Sequence, residues 1–527
     1  MKKRIKRVFA LMLSLAMVVM GIQITPWQIK GADGESTNLP TSQEVTELHA
    51  PEKAYLCDFR TGSGGYKIVF EDADEDTYQM TGTDEKSFDV YVGTQKVTTV
   101  SESGTAVDIS SWGFVDGETY EITVRQVLKR TNTEGVEETL ESETSAINYF
   151  TYTTREADSI DTGIAKVYVT TTRDEKTRNH DLYKSGDKVD VKSSLVVYNA
   201  DGSIDSEGSG TIKLRGNSTS TGQKKPYNIK FDSKTNVFGF GKAKKWSLLA
   251  NTFDKALIRN QVGIQFHHKV MEANQEWQFT SECEPIDFYL DGHYMGSYLL
   301  LESVEAGSSR VDIDAENPDN HEILLELDMT DRDAAADAHL DAHTTLMNMS
   351  FTINEPEGPG TEAANENHED HQEWLEFNET YAAKKAYTLS YLNHLEEKIQ
   401  NGGDGTLDEI GQLIDVDSFV NYYITAELFR ITDVSYSSVR YFIKKSADGT
   451  EKLYAGPLWD LDLSSGNADG AAADPDNDMH AQDNPWFGAL MKNKEFAAKV
   501  TERFNEVLPE IKKLTADGGV IDTLVST

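Results

Sequence analysis

From about residue 50 to 155 apolar and polar residues alternate in short runs, and none of these runs has the length or period of a helix. Gly65-Tyr66-Lys67-Ile68-Val69-Phe70, Phe88-Asp89-Val90-Tyr91-Val92 and Tyr120-Glu121-Ile122-Thr123-Val124 are examples, separated by clusters of Gly, Asp, Asn and Ser. A period of two sends successive side chains to opposite faces, which suits half-buried strands joined by tight turns. The pattern predicts a small β-sandwich over 49–157, immunoglobulin-like or fibronectin-like. It carries no catalytic constellation and reads as a spacer or binding module.

Beyond about residue 160 the pattern becomes mixed. Strands are expected at 164–171, 193–199, 210–215, 226–231 and 323–327. Hairpins are expected at 285–302, turning at Asp291-Gly292, and at about 439–458, turning at Ser446-Ala447-Asp448-Gly449. Helices are expected at about 254–271 with Asp254 as N-cap, at 379–400, at 417–430 and from 485 to 513. Segments 360–375 and 466–484 are strongly polar and read as loops. The whole is therefore α+β, a β-sandwich-like N-terminal domain followed by a larger mixed domain over 160–527.

The first residues carry a separate signal. Lys2, Lys3, Arg4, Lys6 and Arg7 precede an apolar run from Val8 to about Ile24, then a polar stretch around Gly31, Ala32 and Asp33. Charge, length and order are those of a Sec-type signal peptide over 1–32, with a linker over 33–48. The apolar run is short for a stable span, so no lasting membrane anchor is expected and the mature chain is expected to be secreted or at the cell surface.

Composition excludes some partners. Asp and Glu number 89 against 50 Lys and Arg, a net charge of −39, so a nucleic-acid backbone would be repelled. Cys57 and Cys283 are the only cysteines, which is neither a disulfide framework nor a zinc site. There is no Walker A run, no Gly-x-Gly-x-x-Gly loop and no nucleophile elbow. The pairs His267-His268 and His368/His371 read as incidental.

Chemistry concentrates between 421 and 467. Asp433 precedes the first strand of the 439–458 hairpin, and Asp460 and Asp462 follow the second. Paired strands lie about 4.8 Å apart, so their open ends are neighbours and the three carboxylates share one edge. Carboxylates so gathered repel unless a cation sits among them, and hard oxygen donors suit magnesium or manganese. Phosphoryl transfer uses such a set, with metal against phosphate charge and one carboxylate orienting the attacking hydroxyl. On pattern alone the same residues also fit a helix-exit turn and an acidic loop. A second cluster is basic: Arg215, Lys224, Lys225, Lys230, Lys242, Lys244 and Lys245. It fits nucleotide phosphates, or a solvated face that balances acidic neighbours.

These residues fall in segments with a shared order: LRGNSTS with KKPYNIKF, KKWSLLANTFDKALIRN, DGHYMGSYLLLESV, ILLELD, INEPE, ITDVSYSS and GPLWDLDLSSGN. The ordered set resembles the CotH (spore coat protein H) kinase family of atypical protein kinases, over about 165–510. The resemblance implies an atypical protein-kinase-like fold and transfer of phosphate from ATP, with Mg2+ or Mn2+, to a protein substrate that is secreted or surface-located. It implies that Asp433 positions the acceptor hydroxyl, that Asp460 holds metal, and that Asp462 assists. Arg215, Asn217, Lys225 and Lys230 fall in the family's basic motif and imply phosphate contacts, and Glu302 implies a partner for a lysine. Many family members carry Asn five residues after the catalytic Asp as a second metal ligand. Here that position is Ser438, a weaker ligand, so either Asp462 or Asn467 shares the metal or the rate is low. The rival reading is a non-catalytic surface module with a kinase-like fold that binds carbohydrate or protein. Ser438 and export favour it, while intact Asp433, Asp460 and basic motif favour the kinase.

Overall fold

A computed structural model describes residues 39–184, 186, 188–273, 275, 279–329, 341–359, 361–400, 406–468 and 479–526. The expected signal peptide and the expected linker as far as residue 38 lie outside these residues, as does much of the loop read over 466–484. No helix among the described residues is long and apolar enough to cross a membrane. The fold is α+β with several sheets.

The chain forms two compact units, and the division interleaves along the sequence. The smaller takes residues up to Ala54, Val69–Thr105 and Ile122–Ile147, and the larger takes Tyr55–Ile68, Ala106–Glu121 and Asn148 onward. The smaller unit holds β1 (Glu85–Val92), β2 (Gln95–Val100), β3 (Thr119–Thr131) from Ile122 onward and β4 (Glu137–Thr144), which form antiparallel pairs, β1 with β2 and β3, and β3 with β4. Phe88, Val90, Ile122, Val124 and Leu128 are buried, which is the predicted alternation turned into one apolar face.

The larger unit starts with a closed barrel. Its strands are β5 (Ala165–Thr171), β6 (Val191–Tyr198), β7 (Ile204–Leu214), β8 (Tyr227–Asn236), β9 (Lys242–Leu249), β10 (Cys283–Leu290) and β11 (His293–Glu302). Around the barrel the order is β6-β7-β8-β9-β11-β10-β5, and a parallel pairing of β10 with β5 closes it. Val167, Leu195, Ile212, Ile229, Trp246, Leu248, Ile286 and Leu300 share its core. Asp291 and Gly292 both have positive φ, at 50° and 79°, the turn expected at this position. Strand β6 is buried on both faces because residues 55–68 lie over it. A Cβ on Gly62 would sit 2.8 Å from a Val196 methyl, so only glycine permits this approach.

A five-stranded sheet follows, in the order β13 (Asp341–His343), β14 (Ser350–Glu355), β12 (Ile323–Asp328), β15 (Ser437–Lys445) and β16 (Glu451–Ala455). Helices α1 (Arg259–Phe266), α2 (His371–Ile399), α3 (Val416–Phe429), α4 (Pro485–Leu490) and α5 (Lys494–Leu514) complete the described core. Leu325, Phe351, Phe419, Tyr441, Leu461 and Trp486 belong to a single apolar cluster beneath the sheet.

Two expectations change here. Asp254 is not a helix cap. Its carboxylate accepts from the Ala256 and Arg259 amides at 2.9 Å and pairs with the Arg259 side chain, tightening a turn that delays α1 to Arg259. Helix α2 starts at His371, inside the segment read as a loop. Its first buried residue is Tyr381, so the initial turns show no apolar stripe.

Candidate active site

Helix α3 sets the approach. Asp415 caps it by accepting from the Ser418 amide at 2.8 Å, and Arg430 ends it in the left-handed conformation at φ 50°. The chain then turns through Asp433, whose carbonyl accepts from the Tyr436 and Ser437 amides at 2.8 and 3.0 Å. This turn delivers β15. Between Ser437 and Arg440 the strand holds one residue more than β12 opposite, a bulge that re-aims Ser438.

Ser438 and Asp460 both have positive φ, 64° and 62°, and neither is glycine. The Ser438 hydroxyl donates to Asp460 Oδ2 at 3.0 Å. Such backbone costs of order 1–3 kcal/mol per residue and concentrates at functional sites. Helix α1 then pins the chain between the two carboxylates: Asn260 Oδ1 accepts from the Leu461 amide at 2.8 Å, and a Cβ on Gly263 would stand 2.2 Å from Leu461 Cδ2.

A cavity of about 210 Å3 opens here. Its wall holds Asp433, Ser438, Asp460 and Asp462 from one side, and Arg215 and Asn217 from the loop after β7. Six residues singled out in the sequence thus meet in one place. The 215–221 loop is tight, since Gly216 has φ 79° and a Cβ there would lie 2.0 Å from Thr219 Oγ1.

The electrostatics of the wall are uneven. Burial, with Asp460 and Asp433 nearby, pushes the Asp462 carboxyl up to about 7. Arg215 is pressed down by burial and held up by Asp460, and as a guanidinium it stays charged. Two guanidiniums approach the Trp459 ring, Arg215 at 5.3 Å and Arg440 at 5.6 Å from its centroid. Arg440 also pairs with Glu326 at 3.1 Å and donates to Asn354 at 2.8 Å.

Three expected site residues stand apart from this cavity. Lys225 donates to the Ser220 carbonyl at 2.8 Å and braces the loop from behind. Lys230 is exposed on β8, opposite Thr211 and Lys245. Glu302 is buried against Arg310, not a lysine, and accepts from the Glu282 amide at 2.7 Å. Asn467 does not line the cavity, and its amide nitrogen is committed to the carbonyls of Asp462 and Phe253. Sequence reasoning missed Arg440, Glu326, Asn260 and Lys188, whose Nζ donates to Asn217 Oδ1 at 3.2 Å. Arg440 was within reach, two residues beyond Ser438, and Glu326 stands in the ILLELD segment.

Lys245 pairs with Glu357 at 2.6 Å beside Glu355 and Glu305. Burial, then Glu357, raises the Glu355 carboxyl from 4.5 to about 7. The folded chain therefore holds this proton more tightly than the unfolded chain. Glu355 favours folding most below about pH 4.5 and loses that advantage as pH climbs through about 7. Glu355→Gln is expected to melt with wild type near pH 4 and above it near pH 8, read by thermal denaturation at both values.

Residues 212–513, more than half of the sequence, match the family model described as CotH kinase protein. The chain belongs to the CotH kinase family. No curated protein matches it. The matched span takes in every site residue expected from the sequence and every residue on the wall of this cavity.

The metal expected from the family finds a partial set of donors. Among the described residues no three Asp, Glu, His or Cys side chains close into a ready cage. Asp460, Asp462 and the Ser438 hydroxyl are hard oxygen donors on one wall, and the Asp462 carboxyl is raised by burial and then by the like charges of Asp460 and Asp433, which a cation would relieve. Magnesium commonly takes one or two carboxylates and completes its shell with phosphates and water, so an open set of this kind fits it.

Proposed function

We propose that this CotH-family protein is an exported, metal-dependent protein kinase with a kinase-like fold, transferring the γ-phosphate of ATP to hydroxyls of secreted or surface proteins. One observation carries the reading: Arg215, Asn217, Asp433, Ser438, Asp460 and Asp462, drawn from segments more than 200 residues apart in sequence, line one cavity. The chain order helix α3, Asp433 loop, hairpin β15–β16, Asp460 supports it further.

In this reading Arg215 and Asn217 hold the nucleotide phosphates, the guanidinium by charge and the amide by hydrogen bonding. Asp433 accepts the proton of the acceptor hydroxyl and aims its oxygen at phosphorus. Asp460 and Asp462 hold the metal, which neutralises phosphate charge when bound. Ser438 fixes the Asp460 carboxylate through its hydrogen bond and so works through Asp460. Trp459 packs beside the guanidiniums of both Arg215 and Arg440. Lys225 shapes the loop that presents Arg215 and Asn217. The basic and apolar run at residues 2–24 supports export.

The test is transfer of labelled phosphate from ATP, with magnesium and then manganese, to the protein itself and to a generic acceptor protein. Labelling that needs a divalent metal is expected. Absence of labelling with both metals, and no rise in melting temperature on adding nucleotide, would leave the non-catalytic surface module as the better reading.

A further inference from the structure

A second cleft, about 840 Å3, lies in the larger unit and shares no residue with the cavity of Asp433. Its wall is built from residues 58–61, the 149–157 segment and strands β5 and β6, and it holds no Leu, Ile, Val or Met side chain. The polar groups are braced. Arg60 is gripped by Asp58, with Nε at 3.1 Å and Nη2 at 2.7 Å, and Lys166 pairs with Asp161 at 3.0 Å. Tyr168 stacks on Tyr289 at 4.3 Å, and Tyr198 meets it edge-on while donating to the Thr61 carbonyl at 2.6 Å. Arg173 differs from the other cations. Its Nη1 is buried and has no hydrogen-bond partner.

Each feature narrows the ligand. The Arg173 guanidinium lines the cleft without a hydrogen bond or ion pair to any described residue, so its charge and its accessible N–H groups are left for a ligand oxygen. Arg60, Arg155, Lys166 and Arg173 line the cleft together with the carboxylates of Asp58, Glu156 and Asp291; Arg60, Arg155 and Lys166 are ion-paired and Arg173 is not, so Arg173 is the cation left to meet an acid. Tyrosine faces and threonine hydroxyls suit a polyhydroxylated ring that is apolar on its faces and polar at its rim. An extended peptide needs apolar side-chain pockets or a free strand edge, and this wall supplies no aliphatic pocket. We propose that the cleft binds an acidic carbohydrate, its carboxylate on Arg173 and its ring against Tyr168 and Tyr198. The inference stands independently of phosphoryl transfer.

Calorimetric titration of the full chain tests it with short uronic-acid oligosaccharides of several linkages, neutral gluco-oligosaccharides of equal length, and polyglutamate. At least one uronic-acid oligosaccharide is expected to bind, the neutral ones weakly. Arg173→Gln, with an unchanged melting temperature, is expected to weaken that binding by about tenfold or more, as loss of a charged hydrogen bond does. If that variant does not fold, Lys166→Gln on the same wall replaces it and is expected to weaken binding in the same direction. The proposal is overturned if no uronic-acid oligosaccharide binds, if the folded variant binds like wild type, or if neutral sugars bind equally well. Polyglutamate binding as tightly as the sugars would assign the cleft to acidic peptides and overturn it too.

Discussion

Phosphate transfer by Asp433→Ala and Asp460→Ala is expected to fall at least about a thousandfold below wild type, by different routes. Asp433 lines the cavity from the turn before β15, and in the proposed mechanism its loss removes the group that takes the hydroxyl proton. Nucleotide binding should survive, so the nucleotide-induced rise in melting temperature should persist. Asp460→Ala takes away a proposed metal ligand and the acceptor of the Ser438 hydroxyl. Here the rise in melting temperature that depends on metal should disappear along with transfer. Transfer and melting measured side by side separate the two roles. Equal retention of the metal-dependent shift in both variants would remove Asp460 from the metal.

Trp486→Ala is expected to destabilise the larger unit by about 3–5 kcal/mol, the usual cost of deleting a buried tryptophan. The ring is fully buried and packs against Phe351 and Tyr441 with centroids at 5.0 Å. Its indole N–H donates to Glu396 at 3.0 Å, and Glu396 also accepts from the Met347 amide at 2.9 Å. Truncation therefore opens a cavity and strips one partner from a buried carboxylate. Tyr441 stands on β15 three residues beyond Ser438, so activity should fall before the chain unfolds. Chemical denaturation monitored by fluorescence and circular dichroism gives the stability loss. A shift below about 1 kcal/mol would mean that neighbours refill the space.

What the sequence made legible was mostly local. The 437–455 hairpin follows from β-period runs around a Ser-Ala-Asp-Gly turn, and the hairpin alone carries Asp433, Asp460 and Asp462 to one edge. The Asp291-Gly292 turn is likewise read from adjacent residues. Arg215 and Asn217 were found because a basic cluster is conspicuous in so acidic a chain. What escaped depends on distant partners. Arg310 completes Glu302 from a loop eight residues away, and nothing in the spacing distinguishes it from a lysine on a neighbouring strand. Arg440 takes its place on the cavity wall through the bulge against β12, a register feature with no sequence marker. Lys188 reaches Asn217 from a loop that composition leaves featureless. The interleaving of the two units was equally hidden, because residues 55–68 have the same alternation as the strands around them.

The closure of the barrel has a consequence in time. Ala165 on β5 lies beside Ile286 on β10, so the ring cannot shut until about 120 further residues have left the ribosome. Until then β5 offers one unpaired edge and the growing sheet another, both able to recruit strands from other chains. Such a long-range parallel pairing is slow to form. Yield of native protein should therefore depend on how long the nascent chain is shielded, more than on the stability of the finished fold.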